Sequence, residues 1–561
     1  MSTSELAAEV DLWSRPGGPF DPALLAAHDE AETFPAQACA ALDQWGLPDH
    51  YVPGRHGGRL ERLDEVHGLL RAVAARDLTV AVAHGKTFLG TASVWAAGDS
   101  AAAASLARHV LAGEPVAWGL TEPDRGSDLL SGEVTAVRDG SGWRLSGRKW
   151  PVNNATRGRF VCVLARTDPG GGPRGFSVFL VDKDATPRGT VRHLPKVPTH
   201  GIRSADISGV EFRDARVPAH ALIGTVGGGL ELVLKSLQLT RVACVALSLG
   251  AGDHALEIGR DFLAERRLHG RRLADLPHAR AVAGRAVARQ LLAEAVSFTA
   301  ARAAHEVPEE LSTVSAITKA LVPTLVQGQL RLVGELLGAR SFLTGVDGYG
   351  GFAKIERDHQ VVGIFDGSTW VNRSALATSL PALRPGRRPR PGTGRPVREW
   401  LRADHEPAAL DLSRLGVMPR RDSVLGALGE LVAALTAEPP GGADRLAARL
   451  LDAHGDLGTR IAALRPAAGL PATATMRLAE RYEWCFAGAA ALAVWAANPQ
   501  AHDRPAWREG LWLRGALALA LEGLGTRPPE ANAVFDELGR LLLSDDGARV
   551  SLFGTPVEVS A

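Results

Sequence analysis

A block of short strand-like segments interrupts a chain that is otherwise patterned for helices, and this order constrains the fold most. Between about 116 and 225, Gly142–Gly147 (GWRLSG), Phe160–Ala165 (FVCVLA) and Phe176–Val181 (FSVFLV) are rich in aromatic and β-branched residues. Gly, Pro and Asp bound them, which is the signature of strands. Gly170–Gly171–Gly172–Pro173 reads as the turn between the last two. The pattern predicts a small, mainly antiparallel β domain. Before it, Leu60–Ala75 and Ala101–Leu111 place apolar residues three and four apart, the helical period. After it, Leu230–Leu249, Gly252–Arg267 and Pro277–Glu306 each suit a long helix. Arg384–Arg398 (RPGRRPRPGTGRPVR) holds four prolines, three glycines and six arginines, and is expected to be a solvated linker. Glu399–Ala561 is helical again.

The chain has 561 residues, enough for about three to five domains. Its 63 basic and 62 acidic residues nearly cancel, which disfavours a protein that lives on nucleic-acid phosphates. Lysine is scarce, with seven against 56 arginines. Cys39, Cys162, Cys244 and Cys485 are scattered, so neither a disulfide framework nor a zinc site is expected. The N-terminal MSTSELAAEVDLW has acids where a signal peptide has bases. The longest apolar stretch is read as Cys485–Ala497, shorter than the roughly 20 residues of a membrane span. The expectation is a soluble, cytoplasmic protein.

Chemistry is concentrated in a few blocks. Ala117 begins AWGLTEPDRGSDL, followed by GWRLSGRKWPVNNA. Gly126–Ser127–Asp128 is a turn of small residues that offers N–H groups and a hydroxyl to an anion. Thr240–Arg241 stands at the start of an expected helix running into Ala251–Gly252. Arg266–Arg267–Leu268–His269–Gly270 precedes Asp275–Leu276–Pro277, and Arg357–Asp358 precedes Phe365–Asp366–Gly367–Ser368–Thr369.

These five blocks, in this order, resemble the acyl-CoA dehydrogenase family. The resemblance implies an α+β, mainly α fold. Its parts are an N-terminal helical domain (1–115), a middle antiparallel β domain (116–227) and a C-terminal four-helix domain (228–383). The linker (384–398) then leads to a further helical extension (399–561), expected to pack on the core. It also implies FAD, bound without a Rossmann motif, and a homodimer or homotetramer in which a neighbouring subunit completes the FAD site.

By the same resemblance, Leu120, Thr121, Gly126 and Ser127 line the flavin, and Ser127 also approaches the substrate's pantetheine. Pro151 and Asn153 fall where the family has the Trp and Thr beside the flavin ring. Proline cannot stack in the same way, whereas an asparagine amide can still donate. Arg266 matches the arginine that crosses to the FAD pyrophosphate, Arg241 one near the substrate, and Gln238 one near the nucleotide end of acyl-CoA. Asp366 takes the place of the catalytic glutamate, one methylene shorter, and Gly367 follows it at the substrate. Ser368 keeps a hydroxyl near the flavin, while Trp370 either covers the flavin face or joins the core. Tyr349 is placed near the acyl pocket by analogy alone.

The implied activity is FAD-dependent α,β-dehydrogenation of an acyl thioester, on coenzyme A or a carrier protein. Asp366 would be the base, and electron-transfer flavoprotein or oxygen the acceptor. No metal is expected. A flavin-dependent oxidase or monooxygenase on the same fold is the first alternative, and a non-catalytic binding or scaffold protein the second.

Overall fold

The computed structural model describes residues 2–344, 350–383, 395–419, 421–437, 440–465, 469–544 and 550–554. Six helices come first: α1 (Thr3–Trp13), α2 (Pro22–Glu30), α3 (Ala36–Trp45), α4 (Leu63–Ala74), α5 (Leu78–Ala96) and α6 (Ala101–Leu111). Eight strands follow: β1 (Val116–Gly119), β2 (Thr135–Asp139), β3 (Gly142–Asn153), β4 (Phe160–Arg166), β5 (Phe176–Asp182), β6 (Val191–Leu194), β7 (Ile207–Val217) and β8 (Leu222–Ile223). They form one sheet in the order β6-β7-β3-β2-β4-β5-β8, with β1 added beside β4. Most pairs are antiparallel, but β1 runs parallel to β4, and so does the short β2–β4 contact.

The unbroken apolar run of β4 has a packing reason. Phe160, Cys162 and Leu164 face the helical core, while Val161, Val163 and Ala165 face a second core shared with Trp143, Phe179 and Phe212. A strand buried on both faces loses the polar alternation of a half-exposed one.

Helix α7 (Gly229–Glu265) is a single 37-residue helix, not the two expected, and Thr240 lies inside it rather than at its start. The glycines that suggested a break serve close packing instead. A Cβ on Gly250 would meet the Arg71 carbonyl oxygen of α4 at 2.5 Å, and one on Gly252 would meet Gln290 Oε1 at 2.2 Å. Among the described residues, α7, rather than Cys485–Ala497, is the helix apolar and long enough to cross a membrane. Its most apolar window is 89% buried inside the protein, which marks it as a core helix.

A small hairpin, β9 (Arg267–Leu268) and β10 (Arg271–Arg272), joins α7 to α8 (Pro277–Glu306). Then come α9 (Leu311–Leu337), α10 (Gly350–His359) and α11 (Thr369–Ser379). The expected linker lies mostly outside the described residues. Past it, α12 (Val397–Trp400), α13 (Ser423–Gly426), α14 (Leu428–Ala437), α15 (Ala443–Ala462), α16 (Thr473–Ala497), α17 (Leu511–Gly523) and α18 (Ala531–Leu543) form a helical extension.

The extension shares one apolar core with the helices before it. Arg373 of α11 bonds Glu483 of α16 at 2.8–3.2 Å, and Arg280 of α8 bonds Asp536 of α18 at 2.9 Å. The approach of α8 to α18 needs glycine on both sides. A Cβ on Gly284 would sit 1.7 Å from the Phe535 carbonyl oxygen, and one on Gly539 would sit 2.1 Å from that of Arg280. Between α12 and α13 the chain runs back over the core. His405 O accepts from Arg302 at 2.6 Å, Leu410 N donates to Glu61 O at 2.9 Å, and Gly416 O accepts from Gln238 at 2.7 Å.

Gly284→Ala tests this packing. The added methyl cannot fit without parting α8 from α18, and the expected loss is about 1–3 kcal/mol, the usual cost of overpacking. Denaturant unfolding of the full chain measures it. An unchanged midpoint would mean that the extension rests loosely on the core.

Candidate active site

Three elements meet at Asp366. The turn that carries it leads from a short helical turn, Gln360–Gly363, into α11. Asp366 itself is left-handed at φ 54, and Gly367 follows at φ 90. Aspartate tolerates this region several-fold better than most residues. That is a backbone reason for an aspartate here rather than a longer carboxylate. Gly367 is also held close, since a Cβ there would lie 3.0 Å from Asn372 Nδ2 and 3.4 Å from an Arg241 terminal nitrogen. Asn372 Nδ2 donates to Gly367 O at 2.8 Å and to Ser368 O at 3.0 Å, locking the turn.

The Asp366 carboxylate does not cap the following helix; Ser368 does, by accepting from Val371 N at 3.2 Å. Instead Asp366 Oδ2 accepts from Lys86 Nζ of α5 at 2.7 Å and from Cys244 Sγ of α7 at 2.9 Å. Its side chain is 8% exposed. Arg241 Nε reaches the Asp366 carbonyl oxygen at 3.4 Å. Burial pulls this guanidinium down to about 10, although Asp366 opposes the shift. Burial, and then Asp366 beside it, push the Cys244 thiol well above its ordinary value, so it stays protonated. Beneath the turn, Lys319 of α9 donates to Val362 O at 2.6 Å and to Gly367 O at 3.3 Å. Burial lowers its ammonium to about 8.

The sheet supplies the second half of the site. Trp150 N donates to Thr121 O at 2.9 Å and Lys149 Nζ to Leu120 O at 3.1 Å, so the end of β3 lies beside the loop after β1. Glu122 anchors that loop. It accepts from Lys149 Nζ at 2.6 Å and from the backbone of Glu133 and Val134. Against the upward pull of burial, these partners hold its carboxyl below the usual range. Gly126 and Ser127 are exposed, with open space where a Gly126 side chain would stand. Pro151 is exposed. Asn153 is different: both its amide nitrogen and oxygen are buried, with no partner among the described residues. A buried amide left unpaired is costly, and a hydrogen-bonding ligand at the end of β3 satisfies it.

Helix α5 links the two halves. Asn154, next to Asn153, donates to Ala83 O at 3.2 Å, and one turn further along α5 Lys86 holds Asp366. Of the other positions singled out in the sequence, Trp370 is 58% exposed, so it is not a core aromatic. Arg266 is half-buried at the end of α7, with no side-chain hydrogen bond among the described residues. Gln238 is 2% exposed and covered by Gly416. Arg357–Asp358 is structural: Arg357 bonds Asp29, and Asp358 bonds Thr79, Lys354 and Ile202 N. Tyr349 lies outside the described residues. A cavity of about 300 Å³, bordered by Arg71, Asp253 and Glu294, does not include Asp366.

Sequence reasoning missed Lys86, Lys319, Cys244 and Glu122. Lysine scarcity was the available signal for the first two, because in so arginine-rich a chain a retained lysine marks a site that wants a compact ammonium.

Lys319 makes the site testable by pH. Its folded-state value, about 8, lies below the ordinary 10.5. Between those values the unfolded chain binds more protons, so stability should rise with pH, by at most about 3 kcal/mol. Denaturant unfolding of wild type and Lys319→Met from pH 7.5 to 10.5 checks this. The wild type should gain stability relative to the variant as pH rises, and parallel curves would contradict it.

Residues 117–215 match the acyl-CoA dehydrogenase middle domain, and residues 227–380 match the acyl-CoA dehydrogenase C-terminal domain. The probable acyl-CoA dehydrogenase FadE25 of Mycobacterium tuberculosis is 25% identical over 357 residues, 63% of this chain and 89% of that protein. Among solved structures, the glutaryl-coenzyme A dehydrogenase–glutaryl-CoA complex aligns with a TM-score of 0.60 at 20% identity. That alignment covers 66% of this chain and 92% of the other. The prolyl acyl carrier protein oxidase AnaB aligns with a TM-score of 0.60 at 18% identity, covering 66% of this chain and 96% of the other. The matched domains and the order of elements agree: this chain belongs to the acyl-CoA dehydrogenase family of FAD-dependent oxidoreductases.

Proposed function

We propose that the protein carries out α,β-dehydrogenation of an acyl thioester, with Asp366 as the base. The observation that carries this reading is the Asp366 carboxylate itself. It is buried, fixed by Lys86 and Cys244, and joined through one turn of α5 to the strand end where Asn153 awaits a partner. An α C–H is a weak acid, so its removal needs a positioned acceptor and donors that stabilise the charge left behind. Asp366 is the acceptor, and Lys86 and Arg241 are cationic donors within the same cluster.

The unpaired Asn153 amide and the open Gly126–Ser127 turn fit FAD. Leu120, Thr121, Gly126, Ser127, Pro151, Asn153, Ser368 and Trp370 would hold it, with Arg266 reaching the pyrophosphate across a homodimer or homotetramer contact. When bound, FAD supplies the two-electron acceptor. Ser127, Arg241 and Gly367 would contact the substrate. Gln238 is left out of that set, because the Gly416 segment covers it. We place domain boundaries at 115 and 227, beside the change from helices to sheet and back, and at 383 and 398 on either side of the Pro/Gly/Arg-rich segment, although α12 (Val397–Trp400) already begins within it, and we assign the protein to the cytoplasm. Coenzyme A is the first choice of carrier, with electron-transfer flavoprotein as acceptor. A flavin-dependent oxidase is the second reading, favoured by the exposed Pro151 where the family's Trp would stack.

The purified protein should carry FAD, and Arg266→Ala should release it more readily, read by flavin absorbance after gel filtration. Asp366→Asn keeps the left-handed preference of the turn and removes the proton acceptor. Anaerobic flavin reduction by the best acyl thioester should fall by about 10²–10⁴, with FAD still bound. An unchanged rate would remove Asp366 from the chemistry and favour the oxidase reading.

A further inference from the structure

Charge does not balance around Asp366. Lys86, Arg241 and Lys319 bring three cations to one carboxylate. Among the described residues no other group supplies the missing anion. Cys244 remains a thiol, for burial and Asp366 both oppose its ionisation. His359, pushed down to about 3 by burial and by Lys319, stays neutral. Lys319 spends its hydrogens on the carbonyls of Val362 and Gly367. Arg241, by contrast, has one long hydrogen bond among the described residues, through Nε, which leaves its terminal nitrogens without partners. Lys86 likewise has one hydrogen-bond partner there, Asp366, with its ammonium 3.5 Å from the centre of the Phe365 ring. Both side chains are largely buried, Arg241 at 8% exposure and Lys86 at 14%. The spare Arg241 donors are not sealed in the interior, so they open to space a ligand can enter, and a largely buried cation favours an anion there.

The position of this surplus sets the size of the missing partner. Lys86 touches the carboxylate that would take the α proton. An anion held by the same tetrahedral ammonium at about 2.8 Å therefore lies about 4.5 Å from the base. A negative group at that distance is only a few carbon–carbon bonds from the α carbon of a bound acyl chain.

We propose that the acyl group oxidised here is short and carries its own carboxylate, held between Lys86 and Arg241. The assignment rests on the dehydrogenase reading above and narrows its substrate class to ω-carboxyacyl thioesters of about four to five carbons. Lys86 is then a specificity-determining residue as well as the partner of Asp366. Dehydrogenation leaves that carboxylate unchanged: one proton leaves the α carbon, a hydride leaves the β carbon, and the terminal anion only anchors the chain.

The test uses the full-length, FAD-loaded protein with glutaryl-CoA and pentanoyl-CoA, which differ at the chain end. Calorimetric affinity and anaerobic flavin bleaching are both read. The carboxylated thioester should bind at least about 10-fold more tightly, the usual range for a charge-assisted hydrogen bond, and should bleach the flavin faster. Lys86→Met should bring the affinity ratio towards one, and Lys86→Arg should retain most of it. If Lys86→Met does not fold, Lys86→Gln serves the same purpose. Equal or weaker binding of glutaryl-CoA by the wild type overturns the proposal while leaving the dehydrogenase reading intact. A preference that survives Lys86→Met overturns the role of Lys86. If neither thioester bleaches the flavin and no other acyl thioester does, the dehydrogenase reading itself fails.

Discussion

The burial of α7 on every side from Ser236 to Gly252 is the constraint on which the rest of the structure depends. A 37-residue helix this apolar needs partners along its whole length, and α4, α5, α8, α9 and the sheet provide them. Its polar residues are therefore placed in a dry interior, where each must find a partner or pay for its absence. Arg241 and Cys244 meet Asp366, Asp253 meets Arg71, and Ser248 meets His359. The candidate active site is thus a local exception in a packed core, opened where α7 passes the turn before α11.

Inside that exception the electrostatics are set by lysine. Lys86, Lys149 and Lys319 each point an ammonium into a buried place and bond a carboxylate or backbone carbonyls. A compact, rotatable point charge fits between converging backbone atoms where a planar guanidinium would need more room. Burial makes the choice consequential, since it draws Lys319 into a range where a modest rise in pH removes its charge. The clamp on the Asp366 turn and the charge of the pocket are therefore governed by one side chain.

Much of this was legible in the sequence, for identifiable reasons. The strands announced themselves through aromatic and β-branched runs between turn residues, and the Gly126–Ser127 and Asp366–Gly367 turns through small residues next to acids. What was not legible depended on contacts far apart in the chain. Gly250 and Gly252 look like helix breakers until α4 and α8 are seen pressed against them. Gln238 looks available until a segment nearly 180 residues later covers it. Lys86 and Asp366 are 280 residues apart, and no local pattern relates them. Asp366 itself looked like a shortened base; its left-handed backbone supplies a conformational reason for the residue that composition could not.

The glycine-to-backbone seam between α8 and α18 bears on stoichiometry. Packing this close occupies the α8 surface with the chain's own C-terminal helix, and Arg280 and Asp536 seal it with an ion pair. A surface filled in this way is closed to a second copy of the chain. The stretch of α8 around Gly284 is therefore unavailable to a subunit contact, and any assembly of this chain must leave the α8–α18 seam intact.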